Sequence, residues 1–271
     1  MKKTLAAATL AILGSGSLFA QTGIPDFDLS GRIAYESEYI YRGKEHSDTN
    51  VQLSVLGKYS IPTTGFAAYG GVFGMLPIKQ EANQVDWTLG GQYAVDMYTI
   101  DAGYVFHSYP NQKTTNPGIP GGWQNPITNR GVYNRSNEIY IGARVDLEWL
   151  TPAAYIYYDF NLQQVTYEAS LRRQFEGIEF GIPDIAINLS VYAGYVSANQ
   201  YNGDQRAAGV PKWSNDYGYI GFSADLIYHV TNYADIGVGL RYAWNSDNSS
   251  FDIPGNTDDN LWWGTWVRFN Y

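Results

Sequence analysis

Asn260-Leu261-Trp262-Trp263-Gly264-Thr265-Trp266-Val267-Arg268-Phe269-Asn270-Tyr271 closes the chain. In an extended strand successive side chains point to opposite sides, so Leu261, Trp263, Thr265, Val267, Phe269 and Tyr271 share one face. That face is apolar and ends on an aromatic ring, while Arg268 lies on the other. A half-buried strand is the only regular element with this two-residue period.

The same period recurs upstream. In Val85 to Val95 every odd residue is apolar, aromatic or Gly, and Asp86, Thr88 and Gln92 fall between them. From Glu138 to Glu148, Ile139, Ile141, Ala143, Val145 and Leu147 oppose Glu138, Arg144, Asp146 and Glu148. The polar face also carries Asp101, Asp159, Glu168, Arg172, Asp235, Arg241 and Arg268, and charges aimed at a dry core would be very costly. A barrel with lipid outside and a wet interior removes the conflict. A soluble sandwich with one solvated face per sheet would alternate too, but it gives no reason for the loop asymmetry described below.

Composition agrees. Tyr 24, Gly 29 and Trp 8 are high, whereas mean hydropathy is only -0.29. No run of eighteen apolar residues exists, which excludes helical membrane spans. There is no cysteine, so stability must come from backbone pairing and burial alone. At the start, the basic Met1-Lys2-Lys3, the short apolar run Leu5 to Leu13 and the small residues near Ala20 are expected to form a secretory signal peptide over residues 1–20, leaving a barrel over 21–271. Its removal takes away Lys2 and Lys3 and moves the net charge from -9 to -11, which makes nucleic acid a poor partner.

Twelve strands follow from alternation and from breaks at Pro, Gly, Asn and Asp: 29–41, 49–61, 65–76, 85–95, 98–108, 137–148, 153–161, 164–174, 184–197, 216–229, 233–244 and 260–271. The fold class expected is therefore all-β, a transmembrane antiparallel up-and-down β-barrel. An even strand number puts both chain ends on one side. Connections on that side are short, and the long ones, 77–84, 109–136, 198–215 and 245–259, lie on the far side, as in barrels of the bacterial outer membrane.

A more specific pattern is Ser37-Glu38-Tyr39-Ile40-Tyr41-Arg42-Gly43, with Gly65-Phe66-Ala67-Ala68-Tyr69-Gly70-Gly71-Val72-Phe73-Gly74 and Asp101-Ala102-Gly103-Tyr104 further on. These stretches resemble the opening third of the TorF-type porin family, although Glu38 stands where that pattern has Asp. The resemblance covers residues 29–110 and implies an outer-membrane channel, without naming a solute. The signal peptide is expected to send the chain through the periplasm, and the closing strand with its terminal aromatic to bring it to the outer-membrane assembly machinery and lipid; no cofactor is expected.

Arg32, Glu36, Glu38 and Arg42 are expected on one inward face of the first strand, with Asp86, Asp101, Glu138, Arg144, Asp159, Glu168, Arg172, Asp235, Arg241 and Arg268 completing the lining. Such charges would select solutes by sign and polarity, or lock together as a network that stiffens the barrel. Four acids, Asp247, Asp252, Asp258 and Asp259, fit no calcium-loop spacing, so no metal is assigned. His46, His107 and His229 are the only histidines, and no nucleophile elbow or phosphate loop accompanies them, which leaves an outer-membrane lipid hydrolase as the weakest reading. Nothing marks an oligomer surface, so a monomer is the default. The loop 109–136, rich in Pro and Gly, is expected to constrict the pore, with Lys113, Arg130 and Arg135 as its positive lining. Deleting it should raise single-channel conductance, and an unchanged conductance rejects that role.

Overall fold

The computed structural model describes residues 26–78, 83–110, 135–161, 164–198, 216–246 and 259–271. The strands are β1 (Phe27–Glu36), β2 (Tyr39–Tyr41), β3 (Lys44–Ser47), β4 (Asn50–Ser60), β5 (Phe66–Pro77), β6 (Gln84–Val95), β7 (Tyr98–Ser108), β8 (Arg135–Val145), β9 (Thr151–Asp159), β10 (Gln164–Glu176), β11 (Ile185–Ala198), β12 (Tyr217–Thr231), β13 (Ala234–Asn245) and β14 (Asp259–Asn270). All but β2 and β3 form a closed antiparallel barrel in which each strand pairs with its neighbours and β14 returns to β1. The closing seam runs from Ser30↔Asn270 to Glu36↔Gly264. Beyond it, Leu29 and Tyr271 exchange backbone hydrogen bonds of 2.9 and 2.8 Å, so pairing reaches the last residue.

The barrel is turned inside out relative to a soluble protein. Leu89, Leu261 and Ile141 are 67%, 64% and 56% exposed on the outer face, and buried residues such as Asn50, Gln84, Glu138 and Thr166 lie on the inner one. Aromatic residues flank this apolar band. Tyr59, Phe66, Tyr98, Tyr228 and Tyr233 are exposed toward the end where β1 begins and β14 finishes, and Tyr158, Phe160, Tyr195 and Trp244 toward the other. An 11-residue strand such as β7, at roughly 3.3 Å per residue and tilted about 40°, rises about 28 Å, enough for the hydrocarbon layer.

The main correction concerns the first strand. Alternation continues from Ile33 through Tyr41, yet β1 stops at Glu36, and residues 39–47 form a separate two-stranded hairpin, β2–β3. Arg42 and Gly43 both have positive φ, 52° and 76°, the backbone of a two-residue hairpin turn. Arg42 and Glu38 therefore do not share the face of β1 with Arg32 and Glu36. β8 also ends earlier than expected, at Val145, which leaves Asp146 and Glu148 in the turn to β9. Arg135 is the first residue of β8, exposed and out of step with the inward Ser136 and Glu138, so it points away from the interior. Lys113 and Arg130 lie outside the described residues, as do Asp247, Asp252 and Asp258.

Large inward rings are accommodated by glycine on the facing strand. Tyr69 pairs with Gly90, Tyr140 with Gly103, Tyr155 with Gly142, Tyr192 with Gly221, Tyr219 with Gly194 and Trp266 with Gly237. In each pair the ring occupies the space where the glycine's Cβ would stand, so it lies across the neighbouring strand. Gly142→Val should displace the Tyr155 ring and cost about 1–3 kcal/mol as an overpacked site. Its folded band on a heat-shift gel should be lost at a lower temperature, whereas Gly74→Ala, whose Cβ would meet nothing closer than 4.0 Å, should leave that temperature unchanged.

Candidate functional site: the barrel interior and its inward hairpin

Twelve strands about 4.8 Å apart and tilted about 40° enclose a backbone cylinder of radius ~12 Å. One layer of side chains narrows this to a bore about as wide as a β-hairpin, and a hairpin is what fills its far end. β2–β3 leaves the wall between β1 and β4 and crosses the interior. Tyr39 packs on Phe73 of β5 at 6.0 Å and Tyr41 on His107 of β7 at 6.3 Å. At the tip, the Gly43 carbonyl accepts a 2.7 Å hydrogen bond from Asn245 Nδ2 of β13. A side chain at Gly43 would strike Tyr219, so the tip seats against β12 as well.

Arg42 is the anchor. Its guanidinium grips Glu138 of β8 with both nitrogens, Nη1 to Oε2 at 2.8 Å and Nη2 to Oε1 at 2.9 Å. The cation also sits over Tyr41 at 4.8 Å and Tyr157 of β9 at 4.7 Å. Both side chains of the ion pair are nearly sealed, at 8% and 3% exposed, so neither charge can fall back on water. Lys44 Nζ lies 4.3 Å from the Tyr217 ring on β12. Burial raises the Tyr41 hydroxyl well above its ordinary range, so this phenol stays neutral beside Arg42.

The strand charges expected on the lining all take inward register. Asp86, paired with His107 at 2.9 Å, and Glu138 with Asp159 line the far half. The wall of β12, β13, β14 and β1 balances its charges. Arg241 bonds Asp225 at 2.9 Å and reaches Glu36 at 3.5 Å, and Arg32 bonds Glu36 at 3.3 Å. Nearer the termini, Asp235 takes Arg268 at 2.7 Å and His229 at 2.7 Å. Arg172 holds Asn188 at 2.8 Å and Arg144 holds Asp146 at 3.1 Å. The opposite wall, β6 to β10, differs. There Asp101 accepts from Tyr69 at 2.6 Å, Tyr155 at 3.2 Å and Gln92 at 3.4 Å, and Glu168 accepts from Tyr219 at 2.6 Å. On this side hydroxyls serve Asp101 and Glu168, while Glu138 keeps Arg42 and Asp86 keeps His107.

Sequence reasoning missed these inward tyrosines because tyrosine suits a membrane girdle equally well. A signal was present: Tyr140 and Gly142 fall on the polar face of the alternation, between Glu138 and Arg144. The three histidines are also all on the inner side. His107 and His229 pair with carboxylates, and His46 stacks on Tyr39 and Tyr41 in the hairpin, so among the described residues none stands on the lipid-facing wall.

No protein-family model matches the sequence, and no curated protein matches it. Among solved structures the chain is similar to an outer membrane channel from Pseudomonas putida, with a TM-score of 0.51 and 10% identity over 92% of this chain and 97% of that one. It also matches the KdgM porin (TM-score 0.48, 11% identity, 89% and 98% coverage) and the NanC porin (0.48, 14%, 89% and 98%). At these identities the likeness with the Pseudomonas channel bears on the fold, a closed antiparallel barrel.

Removing one partner of a buried pair strands the other charge, at about 3–5 kcal/mol, and an isolated two-stranded hairpin is barely stable. Arg42→Gln or Glu138→Gln should therefore loosen residues 39–47 in an otherwise intact barrel. Hydrogen exchange of their amides should speed up by at least about tenfold, with strand amides unaffected. Equal exchange in variant and parent would mean that other contacts hold the hairpin.

Proposed function

We propose that this protein is an outer-membrane channel of the TorF-type porin kind, through which small polar solutes diffuse passively. The observation that carries the reading is the reversal of polarity: an exposed apolar band outside, and inside a charged lining that differs from wall to wall. Lipid satisfies the first, and a hydrated path is the simplest use of the second.

In this reading the inward groups replace part of a solute's hydration shell as it passes, which favours small polar molecules over bulky apolar ones. The lining comprises Arg32, Glu36, Asp86, Asp101, Glu138, Arg144, Asp159, Glu168, Arg172, Asp235, Arg241 and Arg268. Arg42 on the hairpin sets the narrowest point at the far end, and Glu38 stands at its base. The mature chain, residues 21–271, reaches the outer membrane of a diderm bacterium through the periplasm and works there as a monomer.

One observation favours a second reading. The hairpin is held on several sides of the interior, by Glu138, Phe73, His107 and Asn245, as a permanent plug would be. A closed structural or adhesive barrel would use its far-side loops to meet partners. Single-channel recording separates the two. The refolded mature chain in a planar bilayer should give discrete conductance steps that grow when Tyr39 to Ser47 is replaced by a short Gly-Ser link. A folded barrel that stays silent in both forms would favour the closed reading.

A further inference from the structure

Glu168 sits midway along β10, on the inward face and half-exposed. Its only partner among the described residues is the Tyr219 hydroxyl at 2.6 Å, and no cation reaches it. Its cross-strand neighbours are Tyr155 on β9 and Gly194 on β11, and Gly194 lets Tyr219 of β12 lean across. Tyr157 and Tyr192 pair with Thr166 and Ser170, the residues two before and two after Glu168 on the same face. Ring pairs join these into a wall, Tyr155 with Tyr157 stacked at 5.9 Å and Tyr192 with Tyr219 at 6.1 Å. One unneutralised carboxylate is thus framed by four phenol rings.

The chain already rests cations on this wall. Arg42 lies on Tyr157 and Lys44 on Tyr217, whose ring is 6.3 Å from that of Tyr219. Both cations come from the hairpin tip and approach ring faces from the interior. Arg42 and Lys44 take the faces of Tyr157 and Tyr217, and among the described residues no cation lies over the rings of Tyr155, Tyr192 and Tyr219, which are left to meet a solute. Asp101, bonded by Tyr69 and Tyr155, places a second carboxylate without a cationic partner beside the same ring set.

We propose that Glu168, with Tyr155, Tyr192 and Tyr219, forms a binding site for small organic cations, molecules bearing a quaternary or primary ammonium. A carboxylate supplies the opposite charge, and aromatic faces attract an alkylated ammonium through its diffuse positive charge. An inorganic ion would gain little from the rings, and an anion would be repelled by the carboxylates. The site deepens the channel reading by naming the class of solute it retains.

The test is titration calorimetry of the folded mature chain in detergent with choline, alongside propionate as an anion, and with block of single-channel current by choline as a parallel readout. Choline should bind and propionate should not. Glu168→Gln keeps the acceptor for Tyr219 but removes the charge, and should weaken choline binding by at least about tenfold; Tyr192→Leu, which removes one ring face, should weaken it by a few-fold. A folded chain that conducts but neither binds nor is blocked by choline overturns the proposal and leaves the channel reading standing. A folded chain that binds choline with the expected loss in Glu168→Gln yet never conducts supports the site and sinks the channel. Choline binding unaffected by both variants would place the cation elsewhere and also overturns it.

Discussion

Every structural choice in this chain is subordinate to one constraint: backbone amides and carbonyls in hydrocarbon must be paired with one another. An open sheet would leave two unpaired edges in lipid, so the first and last strands have to meet. They do so from Ser30 to Glu36 of β1, and the hydrogen bonds between Leu29 and Tyr271 carry the seam to the final residue. The terminal aromatic is thus part of the closure as well as of the lipid-facing side. Without cysteine, and with a sheet whose outer surface gains nothing from excluding water, this continuous pairing is the framework on which the rest is mounted.

Closure dictates what lies inside. Because inward and outward residues must alternate, half of every strand faces a confined space that is neither bulk water nor a dry core. Isolated charges there would be costly, and the chain uses two remedies. On the β12–β13–β14–β1 side each arginine meets a carboxylate, as in Arg241 with Asp225 and Glu36. On the β6–β10 side phenols and an amide solvate the carboxylates, as Tyr69, Tyr155 and Gln92 do for Asp101. The result is an interior with one balanced wall and one acidic wall, and the hairpin brings its own cation, Arg42, to the acidic one.

Most of the barrel was readable from alternation, because lipid on one side and water on the other impose opposite demands on neighbouring residues. β6, β7 and β14 fall within a residue of their expected bounds for that reason. The hairpin was not readable on the same grounds. Surrounded by lining on all sides, it has no lipid-facing surface, so Tyr39, Ile40 and Tyr41 read as a continuation of the strand before them. Its turn is marked by Gly43 alone, since Arg42 takes a positive φ that short polar residues or glycine usually occupy. The tyrosine wall stayed hidden because side-chain type does not distinguish a ring at the membrane rim from one over a glycine inside.

The pairing of rings with glycines separates two properties that side chains normally fix together. In Tyr155 over Gly142, the chemistry offered to the interior belongs to β9, while how far the ring stands from the wall is decided on β8. Calibre and selectivity are therefore written at different positions, on different strands. A lineage of such barrels could narrow its bore by changing a residue that has no side chain, or change its solute by altering a ring hydroxyl, and each property would be free to drift while selection holds the other.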